Sequence, residues 1–350
     1  MKVSQTCPLN RRTRRAVNLT AMGFGGAPLG NLYRKVTDKD AQAALKAAYD
    51  AGIRYFDTAP QYGLGLSEVR FGQGIEKFGR DTIQLSTKVG RLLLDCETHD
   101  ATPGAFVDVP QKRIVFDYTY DGVMRSYDAS KSNLNVADVD ILMVHDVCAI
   151  SQGSQQASDE KVRELFDGGG YKALSELRQA GEIAAIGAGV NEWEVCEKLL
   201  GLGDFDCFLL AGRYTLLEQG ALETFLPLCV LRDVGIILGG PYNSGILATG
   251  PIAGAKYNYT DAPPGILERV RALQVVCEAH DTKLIAAALQ FVLGHPSIKT
   301  VIPGAVDATE VQANVALLET AIPAGLWTDL RGEGLIRTDA PLPIEVTDAT

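Results

Sequence analysis

Residues 51–62 read AGIRYFDTAPQY: a short apolar run, Ile53-Arg54-Tyr55-Phe56, delivers the carboxylate Asp57 and then the phenol Tyr62. Two further runs end on a functional group. Thr82-Ile83-Gln84-Leu85-Ser86-Thr87 closes on Lys88, and Val139-Asp140-Ile141-Leu142-Met143-Val144 closes on His145. Runs of this kind, separated by helical stretches, read as parallel strands whose C-terminal ends face one mouth. Carboxylate, phenol, amine and imidazole then converge on one pocket. Phenol and amine make an acid/base pair, because a neighbouring ammonium favours the phenolate.

Outward from these runs, strand-like segments alternate with amphipathic helices along the whole chain. The strand expectations fall near 21–24, 53–57, 82–88, 139–145, 183–188, 205–210, 235–239 and 299–303. A helix is expected from Asp38 to Ala51, with Ala44, Leu45, Ala48 and Tyr49 on its apolar face. Eight strands with crossover helices predict an α/β fold, a (β/α)8 TIM barrel with long mouth loops; the alternative is an open doubly wound sheet. The 350 residues are read as one barrel domain, 1–350. Three irregular segments follow strand ends and can reach the mouth: 89–119, the polar stretch 147–168, and the tail 322–350.

Composition narrows the class. With 46% apolar and 22% charged residues the chain can bury a full core, and no apolar stretch approaches the roughly 20 residues that span a bilayer. A formal net charge of −10 argues against binding polyanions, so neither nucleic acid nor membrane is expected as a partner. The basic start, MKVSQTCPLNRRTRR, lacks the apolar core of a secretory signal. Seven cysteines with no CxxC or metal-like spacing read as reduced thiols in a cytoplasmic setting. Four histidines, at 99, 145, 280 and 295, form no ligand pair, so no metal is expected and a metal-dependent barrel hydrolase is disfavoured.

GFGGAPLGNLY at 23–33, AGIRYFDTAPQYGLGLSEVRFGQGI at 51–75, STKVGR at 86–91 and VDILMVHD at 139–146 resemble the aldo-keto reductase superfamily. VFDYTYDGVMRSYDAS at 115–130, IGAGVNEW at 186–193 and LAGRYTLLEQ at 210–219 are similar to its bacterial aldose 1-dehydrogenase branch. The resemblance implies that Tyr62 is the general acid/base and Lys88 its pKa-lowering neighbour. Asp57 would pair with Lys88, and His145 would orient the reacting oxygen.

The superfamily binds nicotinamide dinucleotides at the barrel mouth without a Rossmann fingerprint. LGGPYNSGILATG at 238–250 resembles its pyrophosphate loop, which assigns Gly239, Gly240, Pro241, Tyr242, Ser244 and Gly245 to the cofactor. Many relatives carry an aromatic at the position of Gly239 to stack on the nicotinamide, and Tyr242 is the available substitute here. Asn191 is a candidate carboxamide ligand. VIPGAVDATEVQANV at 301–315 is similar to the adenosine-gripping segment. Gly304, Ala305 and Glu310 stand where NADP-preferring relatives hold the 2′-phosphate, and Asn314 matches an adenine contact. A carboxylate there repels a phosphate, so NAD is expected over NADP.

The implied reaction is NAD-dependent oxidation of a cyclic hemiacetal to a lactone, with a small-molecule substrate. An aldose such as L-fucose or a D-threo-aldose is the first expectation, and pyridoxal, giving 4-pyridoxolactone, the alternative. Aromatic residues Phe116, Tyr118, Tyr120 and Trp327 are the expected stacking surfaces. A general NADPH-dependent carbonyl reductase and a non-catalytic cofactor-binding subunit remain further readings. Monomer and homo-oligomer are both open.

Overall fold

Eight short parallel strands lie where the apolar runs predict them, in a computed structural model describing residues 1–9, 15–258 and 260–343. They are β1 (Phe24–Gly25), β2 (Tyr55–Asp57), β3 (Gln84–Val89), β4 (Ile141–His145), β5 (Ala185–Val190), β6 (Cys207–Ala211), β7 (Gly235–Gly239) and β8 (Ile298–Ile302). One sheet takes them in chain order, each paired to the next. Parallel bridges Met22–Val301 and Gly25–Gly304 join the first to the last and close the barrel. The Gly23 N–H donates to the Val301 carbonyl at 2.9 Å and the Val301 N–H to that of Ala21 at 3.1 Å. β4, β5 and β7 are buried along their whole length, as expected of strands covered on both faces.

Inside the barrel, Tyr55, Ile141, Met143, Cys207, Leu209 and Ile237 pack with Leu9, Val17 and Leu19 from an N-terminal hairpin, Thr6–Pro8 against Asn18–Thr20. The helix Asp38–Asp50 begins where expected. Thr37 caps it by accepting from the Asp40 N–H, and Ala41, Ala44, Leu45 and Ala48 face the core.

The irregular segments carry more order than their composition suggests. An antiparallel ribbon, Arg91–Asp95 with Lys112–Phe116, stands up after β3. The polar stretch 147–168, expected to be irregular, contains the helices Ala149–Gln152 and Gln155–Asp167. Ser154 caps the longer one, which buries only Ser158, Val162 and Leu165. So narrow a buried stripe leaves little periodic signal in the sequence. The tail forms the helix Ala324–Gly332, with its final residues, 344–350, outside the described residues. Residues 10–14 of the basic start also lie outside them. Among the described residues no helix is long and apolar enough to cross a membrane. All seven cysteines are free thiols.

Candidate active site

The C-terminal ends of β2, β3 and β4 bring Asp57, Lys88 and His145 together, as their placement at the ends of apolar runs requires. The Lys88 ammonium donates to both Asp57 oxygens, at 2.8 and 3.0 Å, and to the Thr58 carbonyl at 2.8 Å. Ser86 donates to Asp57 Oδ1 at 2.7 Å and shares a hydrogen bond of 2.8 Å with the Tyr55 hydroxyl. Asp57 and Lys88 are each 1% exposed, so the pair depends on these hydrogen bonds for the solvation it has lost. Burial pushes the Asp57 carboxyl up, opposed by Lys88 and Ser86.

Tyr62 lies in the loop after β2, its ring 4.8 Å from the Lys88 ammonium and 6.0 Å, edge-on, from the His145 ring. The loop reaches this place by passing against Gly30. A Cβ on Gly30 would come within 2.4 Å of the Tyr62 backbone, so only glycine permits the approach.

His145 is buried, and burial, with help from Arg91 and Lys88, holds its imidazole well below the usual histidine range. It is neutral at physiological pH and has one N–H to give. Its Nε2 is 3.4 Å from Asp146 Oδ2, while its Nδ1 is buried without a hydrogen-bond partner. The Tyr118 hydroxyl donates to the His145 carbonyl at 2.6 Å and fixes that strand end. Asp146, in a left-handed conformation with φ of 53°, pairs with Arg91 at 2.5 Å and accepts from Asn191 Nδ2 at 3.2 Å.

Tyr62, Lys88, Arg91, His145, Asp146 and Asn191 share one cavity of about 400 Å³. Its outer wall is aromatic and aliphatic. Leu32 bridges Phe106 across two loops, the Tyr33 N–H donates to the Ala105 carbonyl at 2.9 Å, and the Phe106 ring stands 6.4 Å from that of Tyr62. Sequence reasoning did not single out Arg91, Asp146, Tyr33 or Phe106. Arg91 and Asp146 sit inside STKVGR and VDILMVHD, as charges just past strand ends, which is a readable signal. Tyr33 and Phe106 depend on loop pairing and carry none.

The four aromatics expected to stack on substrate are elsewhere, and this expectation is corrected. Phe116 stacks on Tyr118 beneath the Arg91 guanidinium. Tyr118 is wholly buried, Tyr120 donates to Glu176, and Trp327 packs on Phe291 in the core. Each has a packing or hydrogen-bonding partner that draws it away from the cavity.

Of the expected cofactor residues, Asn191 lines the cavity, whereas Tyr242 is not among the lining residues. The Tyr242 hydroxyl instead donates to Asn314 Oδ1 at 2.9 Å, which ties the segment after β7 to the segment after β8. Between Gly239 and Gly245 the backbone turns through positive φ at Gly240, Asn243, Ser244 and Gly245. A Cβ at Gly245 would meet nothing within 4 Å, so this turn is open above. Gly304 is fixed by packing: a Cβ there would come within 2.5 Å of Pro28. Ala305 is buried, 1% exposed. Glu310 accepts from the Val306 N–H at 3.0 Å and pairs with Arg34 at 2.8 Å, so its carboxylate already neutralises a cation. The open glycine turn, with backbone N–H groups in left-handed conformations, is the part of this surface that fits a pyrophosphate, whereas the helix start after β8 is already capped by Asp307 and Glu310.

A closed eight-stranded barrel with a buried lysine–aspartate pair, a tyrosine and a neutral histidine at its mouth defines a class that comparison with known proteins bears out. Residues 21–332 match the model of the Aldo/keto reductase family, and the chain belongs to that family. It is 41% identical over 332 residues to a pyridoxal 4-dehydrogenase of Microbacterium luteolum, covering 92% of this chain and 96% of the relative. It is 35% identical over 331 residues to a D-threo-aldose 1-dehydrogenase of a Pseudomonas species, covering 91% and 95%. The fold superposes on the holo form of an aldo-keto reductase from Bacillus halodurans with a TM-score of 0.71 at 23% identity, over 95% of this chain and 98% of that one. The protein is therefore an oxidoreductase of the aldo-keto reductase family.

Proposed function

We propose that this chain oxidises a cyclic hemiacetal at its anomeric carbon to the lactone, with NAD as the oxidant. The carrying observation is the convergence of Tyr62, Lys88 and neutral His145 on one cavity, with Asp57 holding Lys88 from behind. When bound, the nicotinamide supplies hydride acceptance; the residues of the chain handle the proton. Tyr62 takes the proton of the anomeric hydroxyl at its phenolic oxygen, and Lys88 stabilises the phenolate needed for this. Asp57 holds the Lys88 amine in place with both of its oxygens. His145 donates its N–H to the anomeric oxygen and sets the angle at which the carbon faces the cofactor.

Gly239, Gly240, Pro241, Ser244 and Gly245 would hold the pyrophosphate, Asn191 the carboxamide, and the segment from Gly304 through Asn314 the adenosine. NAD is preferred over NADP because Glu310 occupies Arg34, leaving that cation no charge to offer a 2′-phosphate.

The sequence alone favours an aldose. The cavity wall of Leu32, Tyr33, Phe106 and Ile150 shifts the preferred substrate to an aromatic hemiacetal, pyridoxal, whose flat ring suits such a wall. The relative at 41% identity supports the same choice. The polar group formed by Arg91, Asp146 and Asn191 keeps the aldose as second reading. NADH production from pyridoxal and from a panel of aldoses tests the reading, with NMR of the first product. A lactone appearing before any open acid is expected. Efficient NADPH-dependent reduction of open-chain aldehydes, with no lactol oxidised, overturns it.

A further inference from the structure

His145 and Asp146 are neighbours in sequence, and neighbours on an extended strand point to opposite faces. Here both line one cavity. The strand β4 ends at His145, and Asp146 leaves it through its φ of 53°, an uncommon conformation for a residue with a side chain, though one in which aspartate is enriched. The Asp146 N–H donates to the Gly189 carbonyl at 2.9 Å, and its carbonyl accepts from Gln152 Nε2 at 2.8 Å, so the turn is held at both ends. It brings Asp146 Oδ2 to 3.4 Å from His145 Nε2. That separation exceeds the roughly 2.7–3.2 Å of an N–H···O hydrogen bond, yet it is close enough for charge to act. The same oxygen accepts from Arg91 at 2.5 Å, and both side chains are buried. Apolar residues of the same shape often stabilise a protein as well as a buried ion pair does, so stability alone does not account for this one.

A neutral imidazole carries its one proton on either nitrogen. On Nδ1 the proton of His145 would be a buried donor with nothing to receive it, since among the described residues that atom has no hydrogen-bond partner. On Nε2 it lies beside Asp146. Arg91 and Asn191 both donate to Asp146, as they would to an ionised carboxylate. We propose that Asp146 is a positioning residue, whose negative charge beside Nε2 selects the Nε2–H tautomer of His145 while Arg91 holds that charge in place. Burial keeps a second proton off the ring, and Arg91 adds to this. The pair thus directs one proton to Nε2 without making the imidazole cationic. The consequence for catalysis rests on the proposed lactol oxidation: Nε2–H donates to the anomeric oxygen, whereas a bare Nε2 turns a lone pair towards an oxygen that is losing its proton. The tautomer itself does not rest on that reading.

Long-range proton–nitrogen correlation spectra of the full chain, labelled with ¹⁵N at histidine, read the tautomer directly. The chain has 4 histidines, so the signal that disappears in His145→Gln identifies the ring. At neutral pH, with and without NAD, wild-type His145 should favour Nε2–H by at least about tenfold. Asp146→Asn keeps the shape and removes the charge, which at this distance should change the tautomer ratio by about twentyfold towards Nδ1–H. Its kcat/KM for the better lactol should fall about threefold, in proportion to the Nε2–H population lost. Arg91→Met with Asp146→Leu removes both charges and leaves neither buried alone, so it reports the same shift if the single variant does not fold. Wild-type His145 found as Nδ1–H or as a cation, or an unchanged tautomer ratio in the variants, overturns the proposal. Activity lost with the tautomer unchanged makes Asp146 merely structural and overturns it as well. A tautomer that shifts as expected in a protein that oxidises no lactol leaves the role of Asp146 standing and removes the catalytic reading.

Discussion

The Lys88 ammonium lies 4.8 Å from the centre of the Tyr62 ring while both oxygens of Asp57 hold it in place. A charge so fixed acts on the phenol without the reorganisation that a mobile lysine requires. Tyr62→Phe keeps the ring and removes the proton acceptor. Turnover should fall by about 10²–10⁴-fold with NAD binding, followed by fluorescence titration, within about twofold of wild type. A folded variant with wild-type turnover would sink the assignment of Tyr62.

Lys88→Met makes a different, double prediction. It leaves Asp57 buried without its partner, which costs about 3–5 kcal/mol of stability in urea unfolding. It also removes the charge that favours the phenolate, so the rate that survives should need a higher pH. A pH–rate profile superimposable on that of the wild type would count against the pairing.

Glu310→Gln leaves Arg34 without the carboxylate it meets at 2.8 Å. The freed guanidinium should raise kcat/KM with NADP relative to NAD, by about tenfold for one gained charge-assisted contact. Measured side by side, an unchanged ratio, or a wild type that already prefers NADP, would show the cofactor reading to be wrong.

Phe106→Ala should separate the two substrate readings. Loss of the ring that faces Tyr62 should raise KM for pyridoxal about tenfold, as expected for removing an aromatic contact, and affect L-fucose less. An equal effect on both substrates would return the preference to the sugar.

His295 supplies a pH-dependence away from the chemistry. Burial, with a smaller push from Lys299, holds its imidazole down at about 4, and its Nδ1 accepts from the Ser297 N–H at 3.2 Å. Between that value and the ordinary histidine range of about 6.5, the unfolded chain binds a proton that the folded chain refuses. Its contribution to stability is therefore full above pH 6.5 and declines as the pH falls towards 4. Urea midpoints at pH 7 and pH 5 should differ more for the wild type than for His295→Gln.

Much of this was readable in the chain because barrel strands are covered on both faces and so appear as apolar runs. Asp57, Lys88 and His145 were legible for the same reason, each standing at or beside the end of such a run. Tyr33 and Phe106 were not, since the bridge between Leu32 and Phe106 joins loops far apart in sequence. The helix Gln155–Asp167 was hidden by its polarity, only Ser158, Val162 and Leu165 facing inward. Tyr118 and Trp327 misled because a large aromatic in an irregular-looking segment is as useful for filling space as for meeting a ligand, and Trp327 belongs to a helix that buries it. Glu310 was read by its charge alone, although it also accepts from the Val306 N–H and pairs with Arg34.

The join between β1 and β8 bears on how the molecule assembles and loosens. Met22 meets Val301, Gly25 meets Gly304, and Arg34 meets Glu310, contacts that span nearly the whole chain. A growing chain cannot make the first of them before residue 301 is in place, and closing so long a loop carries the largest entropy cost in the barrel. The seam is thus expected to form last and to open first. Lys88 and His145 sit on β3 and β4, strands away from it, so hydrogen exchange should begin at β1 and β8 while β3 and β4 stay protected.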